Sequence, residues 1–321
     1  MSSILIVGPS WVGDMMMAQS LFKVLKIKQA DVNIDVLAPT WSEGLLQRMD
    51  EVRHIIPHTI AHGTLGWRER RQIGQQLRSR AYQQAIVLPN SWKSALIPFW
   101  AKIPQRTGFK GEMRYGLLND IRSKKALTRT VDQFAALGLS KLTPNPSLNP
   151  KPLKVETQSI LALCPGAEYG PAKCWPLEYY ATVAKQKRDQ GWQIWIFGSN
   201  KDYAAGAKIQ SLVGEGVKNL CGQTSLSEAV DLLALTNMVI TNDSGLMHIA
   251  AALDKPMIAI YGSSSPKMTP PLSDKAHIIL LGLDCSPCYQ RICPKKHLKC
   301  LRDITPDQVL NLVNDYDLNL I

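Results

Sequence analysis

The stretch from Met238 to Leu253 most constrains what this chain can fold into. An apolar run, Met238-Val239-Ile240-Thr241, stops at Asn242-Asp243-Ser244-Gly245, and small apolar residues follow (Ala250, Ala251, Ala252). The run reads as a buried strand. The four polar residues are of the types that cap a helix or accept unusual backbone angles. The small residues after them suit a helix packed closely on a sheet. A strand that feeds straight into a helix start aims unpaired N–H groups at one point, and the helix dipole adds to the pull on an anion. The stretch therefore predicts a phosphate-type site at Asp243, Ser244 and Gly245. The plainer alternative is a capped helix with Asp243 as its N-cap.

The same alternation runs through the chain. Residues 3–8 form an apolar strand, Pro9 to Asp14 a loop, and Met15 to Lys28 carries apolar residues at helical spacing. Residues 34–38 are the next strand. This opening implies a parallel sheet with a right-handed crossover. Arg68 to Arg80 suits a basic helix, residues 85–88 a strand, and Lys93 to Trp100 a helical stretch. Residues 104–125, rich in glycine and bases, predict a long functional loop region. Residues 143–154 hold Pro144, Pro146, Pro150 and Pro152 and predict a linker. A second series follows, with strands over 160–164, 193–197, 218–220, 238–241 and 256–261. The expected fold is α/β: two Rossmann-like doubly wound domains, residues 1–150 and 151–321, facing across a cleft. A chain of 321 residues is long enough for two such cores.

Several function classes lack their signatures. The first βα turn, Gly8-Pro9-Ser10-Trp11-Val12-Gly13, is not G-x-G-x-x-G, and no P-loop string occurs. The D-x-D string Asp315-Tyr316-Asp317 falls near the end of the chain, where a solvated helix surface is the expected setting. The formal charge of +11 suits an anionic partner: a nucleotide, a membrane surface, an acidic lipid or nucleic acid. A basic anion- or nucleic-acid-binding protein is thus the alternative from another class, although no RNP, zinc-finger or helix-turn-helix signature supports it. No secretory signal is visible, and no apolar run approaches the roughly 20 residues of a membrane span. The expected location is cytosolic, peripheral to a membrane.

Ligands in doubly wound folds sit beyond the carboxyl ends of the strands. The loops placed there are Trp11 to Asp14, Leu88 to Ser91, Pro165 to Pro176 with Lys173, Gly198 to Asp202, Cys221 to Thr224, and Asn242 to Gly245. Three cysteines (Cys164, Cys174, Cys221) are scattered and expected reduced. The other four form Cys285-x2-Cys288-x4-Cys293-x6-Cys300. That is the ligand number of a structural zinc site, without the spacing of a standard finger. Reduced or disulfide-linked thiols are the other reading.

With these loops in view, the chain resembles the bacterial lipopolysaccharide heptosyltransferases, family 9 glycosyltransferases of the GT-B type. The resemblance rests on Gly8 to Met17, Leu88 to Ser91, Lys93 to Leu96, Arg106-Thr107-Gly108, Gly111 to Asp120, Cys164 to Glu168, Gly170 to Lys173, Trp175-Pro176 and Thr241 to His248. It implies an inverting transfer of L-glycero-D-manno-heptose from ADP-heptose to the first heptose of the lipopolysaccharide inner core. Sister members add heptose at another position, or another sugar. It places the acceptor on the N-terminal half and the donor on the C-terminal half. Asp14 falls on the catalytic base, Lys173 on the donor-phosphate lysine, and Asp243, Ser244, Gly245 and His248 on the donor-phosphate loop. Asp202 falls where relatives often have a ribose-binding Glu, and Thr224 joins the donor side. Trp11, Asn90, Lys93, Arg106 and Arg114 fall to the acceptor. Residues 123–158 look shorter than in such relatives, so no acceptor contact is carried over there. For His248 a packed core histidine is an equal alternative. The resemblance implies no cofactor and no metal in the reaction. It also implies an anionic lipid A-core acceptor at the inner face of the inner membrane, and no nucleic acid partner. The chemistry fits: displacing ADP requires deprotonation of a hydroxyl and stabilisation of charge on the diphosphate.

Overall fold

The computed structural model describes residues 2–61, 63–124, 126–153 and 158–318. The chain divides into two compact units, Met1–Pro146 and Ser147–Ile321.

The first unit is built on a six-stranded parallel sheet. Its strands are β1 (Ser3–Val7), β2 (Asn33–Pro39), β3 (Val52–His58), β4 (Gln84–Val87), β5 (Gln105–Phe109) and β6 (Asp120–Arg122). They lie side by side in the order β3-β2-β1-β4-β5-β6. In register, Val7 stands opposite Leu37 on one side and Val87 on the other. The Val12–Lys28 helix buries Met15, Met16, Met17, Leu21 and Phe22. It begins three residues before the apolar spacing suggests, with Trp11 at the N-cap position. Residues 104–125 are not a loop throughout, because they contain β5 and β6. Strand β3 carries the exposed Arg53 and His54, and an electrostatic tie adds to its pairing with β2. Both oxygens of the fully buried Asp35 accept from the Arg53 guanidinium at 2.9 Å, and the Tyr82 hydroxyl donates at 2.6 Å. Burial alone would raise the Asp35 pKa; these bonds outweigh it and hold the carboxyl below its ordinary range.

The second unit repeats the plan with β7 (Ile160–Cys164), β8 (Gln193–Ile196), β9 (Val217–Asn219), β10 (Met238–Asn242), β11 (Met257–Ile260) and β12 (Ala276–Ile279). The order is β12-β11-β10-β7-β8-β9. Counted from its own first strand, that is the same 3-2-1-4-5-6 order, with every pair parallel. Strands buried on both faces read as continuous apolar runs, and Ile-Leu-Ala-Leu-Cys in β7 is one, buried at every residue. The core joins Leu161, Ile196, Ile240 and Ile258 of the sheet to Tyr180 and Val183 of the Leu177–Asp189 helix. Among the described residues, no helix is long and apolar enough to cross a membrane.

Candidate functional site

In each unit the strand order reverses beside the first strand, between β1 and β4 and between β7 and β10. Loops leaving adjacent strands there diverge to opposite faces of the sheet and open a crevice at the carboxyl ends.

In the second unit Asn242, the last residue of β10, ties the crevice walls together. Its side-chain amide donates to the Pro165 carbonyl at 2.6 Å, and its Oδ1 accepts from the Trp175 N–H and the Tyr180 hydroxyl, both at 3.0 Å. The Trp175 indole is buried and donates to the Ile304 carbonyl at 2.9 Å. The loop between, residues 165–176, is thereby held in one shape. Its Pro171–Lys173 turn presents Lys173, whose Nζ meets Asp243 Oδ2 at 2.5 Å and stands 5.1 Å from the Tyr169 ring centroid. Arg291 covers the same ring at 5.3 Å, and the Tyr169 hydroxyl donates to the Tyr289 carbonyl. Gly170 has φ of 148°, and a Cβ there would stand 2.7 Å from the Arg291 carbonyl oxygen, so the loop requires glycine at this point.

The helix after β10 spans Gly245–Ala252, and its N-cap is Ser244, not Asp243. Asp243 spends its carboxylate on Lys173 and its N–H on the Ile260 carbonyl. The Ser244 side chain makes no cap bond. Its hydroxyl is buried without a partner, and so are those of Ser263 and Ser264. The two latter serines follow β11, whose Ile260 stands opposite Asn242. Three orphaned hydroxyls and the unpaired N–H groups of a helix start thus come from neighbouring strand ends. Buried hydroxyls without partners are uncommon, and a missing acceptor is one explanation. His248, one turn into the helix, is buried; burial pushes its pKa down to about 4, with Lys173 adding to the drop and Asp243 opposing it. Burial also pushes the Cys174 thiol up to about 11 and the Cys221 thiol up to about 12, so both are neutral thiols near pH 7.

Asp202 closes a capping box: its Oδ2 accepts from the Ser199 N–H at 2.8 Å and from the Ser199 hydroxyl at 2.7 Å. It abuts Gly166, where a Cβ would lie 2.4 Å from its carboxyl carbon, so the loops after β7 and β8 touch. Thr224, half-buried, lies in the loop after β9. A Cβ on Gly222 of that loop would lie 2.8 Å from Asn200 Cα, so this loop adjoins the turn that carries Asp202.

In the first unit the crevice receives Trp11 and Asp14 after β1, and Asn90 and Lys93 after β4. Asp14 lies in the first turn of the Val12–Lys28 helix and is half-buried. It is not the cap. Arg114 is 2% exposed, and its guanidinium donates to the carbonyls of Pro89 at 2.6 Å and Phe109 at 2.5 Å. It clamps the ends of β4 and β5, which is a positioning role behind Asn90. Arg106 stands elsewhere. It is the second residue of β5, at the amino end of the sheet, and donates to the carbonyls of Ile103 and Leu117, both at 2.6 Å. The structure thus withdraws Arg106 from the crevice, because its donors satisfy backbone acceptors at the other edge. The residues missed from sequence are Ser263, Ser264, Tyr169 and Arg291. The strand-end rule reaches the serines, since Gly262-Ser263-Ser264-Ser265 follows an apolar run; nothing local marks Arg291.

Two Rossmann-ordered units, with polar residues gathered at the carboxyl ends of both sheets, define a GT-B-like α/β protein. A family model described as glycosyltransferase family 9 (heptosyltransferase) matches residues 70–299. Lipopolysaccharide heptosyltransferase 2 of Escherichia coli (strain K12) is 45% identical, over 97% of this chain and 97% of its own length. Lipooligosaccharide heptosyltransferase 2 of Haemophilus influenzae (strain ATCC 51907 / DSM 11121 / KW20 / Rd) is 46% identical, over 98% and 99%. The solved structure of the E. coli ADP-heptose lps heptosyltransferase II matches with a TM-score of 0.87 at 43% identity, covering 99% of both chains. The chain belongs to glycosyltransferase family 9, and it is a glycosyltransferase.

Proposed function

We propose that this enzyme transfers L-glycero-D-manno-heptose from ADP-heptose to the first heptose of the lipopolysaccharide inner core, with inversion at the anomeric carbon. The observation that carries the reading is the Gly245 helix start at the switch point of the second sheet, where Lys173 and the buried, unpartnered hydroxyl of Ser244 stand, with two more such hydroxyls, Ser263 and Ser264, after the neighbouring strand β11. A diphosphate supplies the acceptors this cradle lacks. Lys173 has three donors, so its ammonium keeps Asp243 and still reaches a phosphate oxygen. Gly245 lets the backbone approach the anion, and His248 lies one turn behind. Asp202 and Thr224 take the nucleoside side.

Asp14 is the general base. The acceptor hydroxyl gives its proton to the Asp14 carboxylate as its oxygen bonds the anomeric carbon. The bond from that carbon to the ADP oxygen breaks on the opposite face, and the charge on the departing diphosphate is met by Lys173 and the helix start. Trp11, Asn90 and Lys93 hold the acceptor, with Arg114 behind them. The reaction requires no metal. An anionic lipid acceptor suits the net positive charge and places the enzyme at the inner face of the inner membrane.

The test is turnover of ADP-heptose with defined truncated core acceptors. Transfer is expected onto the acceptor bearing a single heptose. Transfer only onto an acceptor with none, or with two, moves the enzyme to a sister step; no turnover of ADP-heptose on any of them removes the reading.

A further inference from the structure

The transfer chemistry assigns no task to Arg291, yet its segment is fastened to both loops that carry the donor-side lysine and hydroxyls. After β11, the Ser263 carbonyl accepts from the Tyr289 N–H at 2.7 Å, and the Gly262 carbonyl accepts from the Ser286 hydroxyl at 2.6 Å. In the loop after β7, the Tyr169 hydroxyl donates to the Tyr289 carbonyl at 2.6 Å, and the Ala172 N–H donates to the Arg291 carbonyl at 3.1 Å. The Ser263 N–H joins the two loops directly, on the Ala172 carbonyl at 3.2 Å. Tyr289 takes a φ of 54° to make the bend, a conformation that costs energy in a residue with a Cβ and persists where the surroundings enforce it. A Cβ on Gly170 would stand 3.1 Å from the Arg291 Cβ, so the two backbones touch. The fold thus fixes where Arg291 leaves the chain. The four cysteines around this segment are free thiols. Among the described residues no three His, Cys, Asp or Glu side chains stand as a metal-ligand set, so the zinc reading of Cys285 to Cys300 is withdrawn.

What the segment delivers is a second cation beside Lys173. The Arg291 guanidinium stands 5.3 Å from the Tyr169 ring centroid, and the Lys173 Nζ stands 5.1 Å from the same centroid. An aromatic ring attracts a cation without neutralising it. The carboxylates at hand are spent: Asp243 on Lys173 and Glu168, the neighbour of Tyr169, on Lys201, both at 2.5 Å, and none is paired with Arg291 among the described residues. One carboxylate therefore stands against two cations, and positive charge is left over beside the Gly245 helix start. Arg291 also brings what Lys173 lacks, a planar fork that bonds two phosphate oxygens at once.

We propose that Arg291 is a second cation of the donor site, held over Tyr169 so that its guanidinium binds the diphosphate of the nucleotide sugar and of the departing ADP. The inference rests on the ADP-sugar reading of this crevice, and Tyr169 is a positioning residue that acts through Arg291. Binding of ADP and of adenosine to the full chain tests it. Arg291→Met keeps an unbranched side chain and loses the charge. It is expected to weaken ADP binding by about tenfold, the scale of one lost charge-assisted hydrogen bond. Adenosine binding and the acceptor KM are expected to stay as they are. If the variant fails to fold, the unaltered chain decides: ADP, but not adenosine, is expected to slow solvent exchange of the Arg291 Nε–H followed by NMR, and no slowing overturns the proposal. Equal loss for ADP and adenosine in Arg291→Met makes Arg291 structural and overturns it, and so does unchanged ADP affinity. An unaltered chain that holds ADP no tighter than adenosine overturns the ADP-sugar reading along with it. In a Tyr169→Leu background, Arg291→Met is expected to cost less ADP affinity than in the parent; equal cost in both overturns the part given to the ring.

Discussion

Asp14 lies inside the first turn of the Val12–Lys28 helix, with Trp11 at the N-cap position. Its carboxylate adds a favourable charge near the positive end of the helix dipole, worth about 0.3–1 kcal/mol. Asp14→Asn keeps the side-chain volume and a hydrogen-bonding oxygen, but asparagine cannot take a proton from a hydroxyl. Removal of a general base costs about 10²–10⁴-fold in rate. The variant is expected to melt within a few degrees of the parent, bind ADP normally and lose turnover by at least about a hundredfold. A well-folded variant with near-normal kcat would remove Asp14 from the mechanism. His248 makes a different prediction. Its pKa is about 4 folded against 6.5 for an ordinary histidine. Between those values the unfolded chain binds more protons than the folded one, so stability falls as pH drops from about 6.5 toward 4 and is unaffected above that window. Urea midpoints measured against pH should show this fall, and His248→Gln should remove it. Saturating ADP should raise the His248 pKa, followed by NMR, because a phosphate nearby favours the imidazolium; an unmoved pKa makes His248 a core residue only.

At the level of elements, legibility followed burial. Strands β7 and β10 and the turn after β10 were visible because a central parallel strand is a continuous apolar run that must end in polar residues. Strands β3, β6 and β12 were not. Each has one neighbour or an exposed face, and charges such as Arg53 and Arg122 break the apolar signal. Strand β5, Gln105-Arg106-Thr107-Gly108-Phe109, has no apolar run either. Its arginine was visible as a charge but not as a half-buried tie, because pairing with backbone carbonyls leaves no local pattern. The two arginines of this region therefore make opposite predictions. Arg114→Met leaves the Pro89 and Phe109 carbonyls without their donors, at about 1–3 kcal/mol for each buried group. It should lower the melting temperature and, by freeing the Asn90 loop, raise the acceptor KM while leaving ADP affinity alone. Arg106→Met should lower stability through Ile103 and Leu117 and leave both KM values unchanged; a raised acceptor KM in that variant would return Arg106 to the site.

Over the whole molecule, the same strand order occurs twice with no repeat visible in the sequence. A parallel sheet constrains only where apolar runs and polar turns fall, not which residues fill them, so two units share a topology while their strand ends differ. In the first unit the ends offer Asp14, Asn90 and Lys93; in the second they offer Lys173, unpaired hydroxyls and a helix start. The second set bears on how ADP leaves. A metal-assisted departure calls for carboxylates free to hold Mg²⁺ or Mn²⁺ beside the diphosphate. The carboxylate at the helix start, Asp243, is already bound to Lys173 at 2.5 Å, and Asp315-Tyr316-Asp317 falls in the Pro306–Leu318 helix. The donors in place are Lys173, Ser244, Ser263, Ser264 and the free N–H groups. Transfer is therefore expected to persist when excess EDTA is added together with the substrates. Lys173→Ala should lower kcat by about 10²–10³-fold, the scale of one lost donor to developing charge, and Mg²⁺ should not restore it. Immediate loss of transfer in EDTA with recovery on Mg²⁺ or Mn²⁺ would show that the diphosphate leaves with a metal and that Lys173 is not its main counter-charge.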